Sequence, residues 1–238
     1  MKIHLVYTPI TGDRMVKKME ELKVHILASY YFLRQHNPLK RKFLLDSGAY
    51  SAFTTGDVID IDKYIEFIKK NKDRIEYYFG LDEIGNAEKT LENQKYMESK
   101  GLKPIPTFHA NEDFKYLEEY CKNYDYIALG GVAQLRSRPK MMLWLKKCFS
   151  IIPKNVKVHG FAITSPYVVK RFPFYSVDSS SWTNAGRYGR MSLFDKQKMI
   201  TMKTRVKSTT ENNHKIIVWN LIQWKKYADY MEERKWNT

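Results

Sequence analysis

The chain has 238 residues, 43% of them hydrophobic and 28% charged, and 41 Lys and Arg against 26 Asp and Glu give a formal net charge of +15. This composition can bury a sizeable core, which excludes disordered, collagen-like, coiled-coil and low-complexity chains and favours one domain over residues 1–238. No apolar run reaches the ~18 residues of a membrane-spanning helix, and the N-terminus lacks the apolar core of a signal peptide. We therefore expect a cytoplasmic protein with no membrane partner.

Short apolar runs alternate along the chain with segments of helical periodicity. Helical spacing of apolar residues predicts helices within residues 61–68, 114–121 and 139–149. The alternation predicts an α/β fold with a parallel sheet, either a closed (β/α)8 barrel or an open doubly wound sheet, and we take the single-domain TIM-like (β/α)8 barrel. The seven predicted strands are residues 3–8, 43–46, 75–82, 104–108, 126–130, 156–160 and 174–178.

The eighth strand of such a barrel is the least defined element in the sequence. Residues 190–194 are the available candidate, because they form a short apolar run after the seventh strand. The rest of the chain, from about residue 195 to residue 238, is basic and has apolar periodicity at 217–230. We expect it to form a helical extension at the C-terminus.

Positive charge is concentrated in the C-terminal half of the chain. Residues 127–238 hold 21 bases and 6 acids, whereas residues 57–126 hold 11 bases and 16 acids. A field of this sign favours a polyanionic partner and makes binding sensitive to salt, so nucleic acid is the leading candidate. The alternative is a basic surface that binds nothing specific.

The cysteine content predicts neither a disulfide framework nor a cysteine zinc site. Cys121 and Cys148 are the only cysteines, and they are too far apart in sequence for a CxxC pairing. A reducing compartment fits this usage, and no metal site is predicted.

Three predicted strands finish in an aspartate: Asp46, Asp82 and Asp178. The carboxyl ends of parallel barrel strands open on the same face, so these carboxylates are expected to share one mouth. Other strand ends supply His109, Gly130-Gly131 and His159. The sequence therefore predicts an active-site rim made of carboxylates, imidazoles and a glycine pair.

Each of these residues also has an ordinary structural explanation. Asp46, followed by Ser47-Gly48, is typical of a turn or a helix cap, and one acid of Asp82-Glu83 could cap the next helix. A lone histidine is more often a structural hydrogen-bonding group than a catalyst, and this is how we interpret His159. Gly130-Gly131 is either a tight turn or a place where a flat ligand reaches the backbone.

The strand-end segments, taken in order, resemble the tRNA-guanine transglycosylase superfamily, whose members exchange guanine in a nucleic acid for a 7-deazaguanine. Asp46-Ser47-Gly48-Ala49-Tyr50 is similar to that family's Asp-Ser-Gly-Gly-Phe segment, and Leu81-Asp82-Glu83 is similar to its Asp-Glu segment. Ala128-Leu129-Gly130-Gly131 is similar to its Val-Gly-Gly loop. The resemblance covers roughly residues 43–194.

The most specific match begins at Asp178. Thr183, Gly186, Arg187 and Gly189 follow it at offsets of five, eight, nine and eleven residues. This resembles the family's Asp-x4-Thr-Arg-x-Gly-Arg-x-Gly stretch. The chain is closest to short phage-encoded members associated with 7-deazaguanine modification of DNA, and for a phage protein the cytoplasm would be that of the host cell.

The resemblance implies a role for each strand-end residue. Asp178 is the nucleophile that attacks the sugar, and Asp46 is the second carboxylate, which manages protons; no cofactor is required. The expected base-binding residues are Asp82, His109, Gly130, Gly131 and Tyr50. The expected nucleic-acid-binding residues are Arg187, Arg190 and Trp182.

Three departures from the tRNA enzymes point to a different polymer. Trp182 and Asn184 stand where that family has Pro and Arg, and His109 stands near the place of a base-recognising glutamine. The family's C-terminal cysteine and histidine zinc site has no counterpart. We therefore expect DNA as the substrate in preference to tRNA or other RNA, together with a 7-deazaguanine base. A dimer or a partner protein is left open as a further source of recognition surface.

Two other functions compete with base exchange. The first is a nucleic-acid-binding barrel without chemistry, against which the three strand-end aspartates argue, because negative charge repels phosphates. The second is a nucleosidase or glycosidase that uses the same carboxylates on a small nucleoside. Strong salt dependence of binding would distinguish a polymer substrate from a small one.

Overall fold

The structure of the protein is a computed structural model that describes residues 1–9, 12–183, 189–205 and 209–233. Ten β-strands and nine α-helices lie within these ranges. The strands are β1 (Lys2–Tyr7), β2 (His25–Ser29), β3 (Phe43–Asp46), β4 (Ile75–Tyr78), β5 (Thr107–His109), β6 (Tyr126–Gly130), β7 (Lys157–Gly160), β8 (Ser176–Ser179), β9 (Arg190–Asp195) and β10 (Lys198–Lys203). The helices are α1 (Gly12–Glu21), α2 (Tyr30–Leu33), α3 (Ala49–Thr55), α4 (Ile61–Lys70), α5 (Ala87–Ser99), α6 (Phe114–Asn123), α7 (Arg138–Ile151), α8 (Pro166–Val169) and α9 (Thr210–Glu233).

Strands β1 to β8 belong to one eight-stranded sheet and alternate with helices along the chain. The pairings described for this sheet are parallel. The prediction of an α/β protein of the TIM-like (β/α)8 barrel class is therefore confirmed.

The eighth strand of the sheet is β2, and the assignment of residues 190–194 to the barrel is wrong. Those residues lie in β9, which pairs antiparallel with β10 in a separate two-stranded sheet. The two-residue connection at 196–197, with Lys196 at a φ of 53°, reverses the chain too tightly for a parallel crossover. The predicted C-terminal helical segment is correspondingly part strand, in β10, and part helix, in α9.

Contacts divide the chain into two compact units, one made of residues 1–26 and 162–238 and the other of residues 27–161. The prediction of a single domain stays a prediction. In the first unit β1 pairs with β8, with His4 opposite Asp178, and the β9–β10 sheet packs on α9. The buried face of α9 is largely apolar and aromatic, with Leu221, Trp224 and Tyr227 in the core.

The second unit contains two parallel ladders, β2-β3-β4 and β5-β6-β7, and a parallel bridge between Phe79 and Ile105 joins them. Phe108 of β5 packs against Phe114 and Trp144 of the helices. Because side chains alternate along a strand, Thr107 and His109 lie on the opposite face of the sheet. Side-chain caps begin four of this unit's helices: Asp60, Asn86, Asp113 and Ser137.

No helix within the described ranges is both long and apolar enough to cross a membrane.

Candidate active site

Asp178 lies in β8, with 6% of its surface exposed. The backbone N–H of Ala162 donates to its Oδ1 at 2.9 Å. Ala162 has a φ of 56°, an unusual backbone conformation for a residue other than glycine. A hydrogen bond from a main-chain donor helps to fix the orientation of the carboxylate.

Trp182 is part of the core of the first unit and has no exposed surface. Its Nε1 donates to the carbonyl oxygen of Val6 at 3.1 Å, and its own carbonyl accepts from Asn220. A base can stack only on an accessible ring face, and Trp182 has none, so its assignment to nucleic-acid binding is corrected to a structural role.

Of the two arginines near Asp178 in sequence, Arg187 and Arg190, the structure describes only Arg190. Arg187 and Gly186 lie outside the described residues. Arg190 begins β9 with an exposed side chain, and its carbonyl oxygen accepts from Asn220 at 3.2 Å. The Arg190 guanidinium is thus available for phosphate contact, while its backbone is fixed by α9.

Asp46 ends β3 and makes the turn into α3. Its Oδ2 accepts from the N–H of Gly48 at 3.1 Å, and Ser47 Oγ accepts from the N–H of Ala49 at 3.3 Å. The interpretation of Asp46 as a turn residue is therefore correct for its Oδ2 atom. Tyr50, in the first turn of α3, is 66% exposed, which leaves ring surface open for stacking.

The charges of Asp46 and Asp82 both influence the pKa of the Tyr64 hydroxyl. That side chain is fully buried, and its OH donates to the carbonyl oxygen of Phe79 at 2.8 Å. Burial, and then the charges of Asp46 and Asp82, raise the pKa of Tyr64 well above its usual value. The two strand-end carboxylates of the second unit therefore share one electrostatic environment.

His109 lies between two carboxylates at the end of β5. Its Nε2 is 3.3 Å from Asp82 Oδ2, and its Nδ1 is 3.2 Å from Glu112 Oε1. Glu112 also accepts from the His109 backbone N–H at 2.8 Å. Burial opposes the imidazolium, but the charges and hydrogen bonds of Asp82 and Glu112 outweigh it and raise the pKa of His109 to about 10.

The Asp82–His109–Glu112 cluster carries one more negative charge than positive when its histidine is protonated. Asp82 and His109 were expected in the site from their strand-end positions, and the structure brings them together. Glu112 was missed, although its position three residues after His109 in a turn was a usable signal.

We expect His109 to stay protonated through neutral pH and to titrate near pH 10. Because its folded-state pKa lies above the ordinary value of 6.5, its contribution to stability is complete below about pH 6.5 and is lost as the pH rises to about 10. The measurement is an NMR titration of the imidazole, assigned with His109→Gln, together with urea unfolding of both proteins at several pH values. A stability difference that grows between pH 6.5 and pH 10 would contradict the assignment.

His109 limits the space available at the Cβ positions of Gly130 and Gly131. A Cβ on Gly130 would lie 2.9 Å from His109 Cδ2, and Gly131 has a φ of 73° with its Cβ position 3.0 Å from the Ala110 nitrogen. The pair thus allows close approach of β6 to His109 and makes a left-handed turn. Its contact with a base stays a prediction.

Two buried oxygen atoms beside the cluster have no hydrogen-bond partner within the described part of the chain. They are Asp82 Oδ1 and Thr107 Oγ1, and Thr107 is only 1% exposed. An unsatisfied buried oxygen costs free energy, so each is a candidate contact for a bound ligand. The Asp82 oxygen can only accept, because its carboxylate is held beside an imidazolium.

A cavity of about 380 Å³ adjoins Asp82 on the side of α3. Its walls are mostly apolar, with Ala49 and Phe53 of α3 facing Leu81, and its acidic residues are Asp57, Asp82 and Glu83. Small-molecule sites commonly combine apolar walls of this kind with a few polar groups. The described residues contain no cluster of three or more His, Cys, Asp or Glu arranged to hold a metal ion.

Comparison of the sequence with protein-family models gives no match, and comparison with curated proteins gives none either. Membership of the transglycosylase superfamily therefore stays a prediction that rests on the motifs of this chain.

Proposed function

We propose that the protein exchanges guanine in DNA for a 7-deazaguanine through a covalent bond between Asp178 and the sugar. The observation that carries the proposal is the buried Asp82–His109–Glu112 cluster, in which Asp82 keeps one oxygen for a ligand N–H. A purine edge of the guanine type offers such donors at its ring N–H and its amino group. The strand-end position of Asp82 in a (β/α)8 protein supports the same assignment.

In the proposed reaction, an Asp178 oxygen attacks C1′ of the nucleotide as the bond from C1′ to the guanine nitrogen breaks. The electron pair of that bond leaves with guanine, which takes a proton from Asp46, the second carboxyl group, acting in its acid form. The incoming base then gives its proton to Asp46 and displaces Asp178 from C1′. Retaining glycosidases also use two carboxyl groups, and both the formation and the breakdown of their covalent intermediate pass through an oxocarbenium-like transition state.

The local contacts of Asp178 are compatible with the role of nucleophile. Its Oδ1 is held by the Ala162 N–H, which stabilises the charged carboxylate and limits its rotation. Asp46 is likewise oriented through one oxygen by the Gly48 N–H.

The imidazolium of His109 has a positioning role in this proposal. Its two ring N–H groups point to Asp82 and Glu112, so it offers no donor of its own to the base. It holds Asp82 in place through the ion pair at 3.3 Å. Histidine at this position thus acts on the base through Asp82.

Asp82→Asn is expected to raise the KM for the free base about 10-fold or more with a smaller effect on kcat. The substitution replaces a charged acceptor by an amide and removes the main ion-pair partner of His109. The measurement is steady-state exchange at varied base concentration, with the exposed Asp73→Asn as the control. An unchanged KM would remove Asp82 from base recognition.

Labelled guanine tests the proposal directly. The protein is incubated with labelled guanine and, separately, with duplex DNA, single-stranded DNA, tRNA and free deoxyguanosine. The proposal predicts incorporation into DNA and none into free nucleoside. Release or exchange on the nucleoside alone would indicate a nucleosidase, and salt-sensitive DNA binding without any incorporation would indicate a binding protein.

A further inference from the structure

Strands β9 and β10 form an antiparallel ribbon that the proposed chemistry does not use. Its register pairs Lys198 with Asp195, Ile200 with Leu193 and Met202 with Met191. Residues 189–205 hold five bases and one acid. The bases are Arg190, Lys196, Lys198, Lys203 and Arg205, and none of them makes a salt bridge within the described ranges.

Helix α9 covers one edge of the ribbon with side chains. Asn220 Oδ1 accepts from the Ser192 N–H at 2.7 Å, and Gln223 Oε1 accepts from the Phe194 N–H at 3.1 Å. Trp219 Nε1 donates to the Ser192 carbonyl at 2.8 Å. These bonds satisfy the backbone of β9 on the side away from β10, so the ribbon is held firmly at one edge.

One face of the ribbon packs against the same helix. The Phe194 ring lies 5.6 Å from Tyr227 and 5.4 Å from Tyr230, centroid to centroid. Trp224 Nε1 donates to Ser192 Oγ at 3.3 Å. Because side chains alternate along a strand, Ser192 and Phe194 define the inner face, and their neighbours Leu193 and Asp195 belong to the outer face.

The outer face combines exposed apolar side chains with one base, Lys198. Along β10 it carries Lys198, Ile200 and Met202, of which Ile200 is 39% and Met202 is 47% exposed. Lys203 and Arg190 pair at the open end of the ribbon, where both are exposed, but alternation places them on the same face as Ser192 and Phe194. On the outer face Asp195 sits opposite Lys198, so the positive charge of the ribbon is carried by its two ends, with Lys196 at the turn and Arg190 and Lys203 at the open end.

We propose that this ribbon docks in the major groove of duplex DNA. The major groove of B-form DNA admits a two-stranded ribbon, whereas the deep, narrow major groove of A-form RNA does not. Ile200 and Met202 of the outer face then lie against base edges, such as thymine methyl groups, while Lys198 and the exposed Arg190 and Lys203 at the open end of the ribbon contact the flanking phosphates. The choice of DNA deepens the proposed function, but the docking itself needs no base exchange.

The test compares two double variants of the full chain by fluorescence anisotropy on a labelled DNA duplex at several salt concentrations. Lys198→Gln with Lys203→Gln removes two ribbon charges, and Lys146→Gln with Lys154→Gln removes two exposed lysines elsewhere as the matched control. We expect the ribbon variant alone to lose about 10-fold or more in affinity and to lower the slope of log K against log salt by about two. Equal behaviour of the two variants would overturn the proposal.

Ile200→Thr with Met202→Thr tests the apolar half of the face. Threonine keeps strand propensity, and circular dichroism verifies that the variant is folded. We expect weaker duplex binding with an unchanged salt slope, because no phosphate contact is removed. Wild-type affinity would contradict contact between these side chains and the bases.

Within the described residues β10 pairs only with β9, which makes self-association through its other edge the rival explanation, since an open strand edge can pair with a second chain. Sedimentation of wild type and of both ribbon variants decides this. A dimer that the variants dissociate, with duplex binding unchanged, would overturn groove docking, as would an equal loss of binding to A-form RNA. Ribbon-dependent binding without guanine incorporation would refute base exchange and leave the docking intact.

Discussion

Asp178→Asn is expected to lower the rate of base exchange roughly 10³-fold or more while leaving folding and DNA affinity close to wild type. The substitution removes the attacking oxygen and its charge but keeps the shape of the side chain. An asparagine Oδ1 can still accept the Ala162 N–H, so the buried contact that holds residue 178 survives. The measurement is single-turnover exchange with labelled guanine, alongside anisotropy on the same duplex.

The matched control is Asp73→Asn, which removes an equal charge from an exposed position. It should exchange guanine at the wild-type rate. If Asp178→Asn instead loses solubility or DNA binding in proportion to its activity, the residue is structural. If it keeps full activity, the nucleophile lies elsewhere.

Gly48→Ala is expected to reduce the free energy of unfolding by about 3 kcal/mol or more. Gly48 has a φ of 82°, and a Cβ there would lie 2.1 Å from Ser29 Oγ and 2.5 Å from Tyr31 Cβ. Two costs therefore add: left-handed strain, and a steric overlap that only movement of the β2–α2 junction relieves. Urea unfolding monitored by tryptophan fluorescence measures the loss.

Gly56→Ala separates these two costs. Gly56 ends α3 with a φ of 70°, and nothing lies within 4 Å of its Cβ position. It should lose only the left-handed term, about 1 kcal/mol. Equal destabilisation by the two substitutions would show that crowding at Ser29 is unimportant, and that the Asp46-Ser47-Gly48 turn does not require glycine for close approach.

Strand β2 was not predicted from the sequence, and the reason lies at its boundary with α2. The β2 run passes directly into α2, because Ser29 ends the strand and its Oγ also accepts from the Tyr31 N–H as the helix cap. No Gly, Pro or Asn separates the two elements, so a continuous apolar stretch hides the boundary between them. Residues 190–194 were the remaining candidate after the seventh predicted strand, and they do form a strand, but it belongs to the separate two-stranded sheet.

The proximity of Asp82 and His109 could be predicted because the fold alone determines it. Asp82 and His109 end neighbouring segments joined by the Phe79–Ile105 bridge, and strand-end reasoning was sufficient to bring them together. Glu112 comes from a turn after β5, whose geometry no periodicity specifies. Trp182 was assigned by its nearness to Asp178 in sequence, but burial depends on tertiary packing against Val6.

The most direct test of base exchange is detection of the sugar bound to Asp178. Wild-type protein is mixed with a labelled DNA duplex without free base, quenched with denaturant, digested and examined by mass spectrometry. The account predicts a nucleic-acid adduct on the peptide containing Asp178, loss of that adduct on addition of guanine, and none in Asp178→Asn. Guanine incorporation with no adduct, or with an adduct on Asp46 instead, would contradict it.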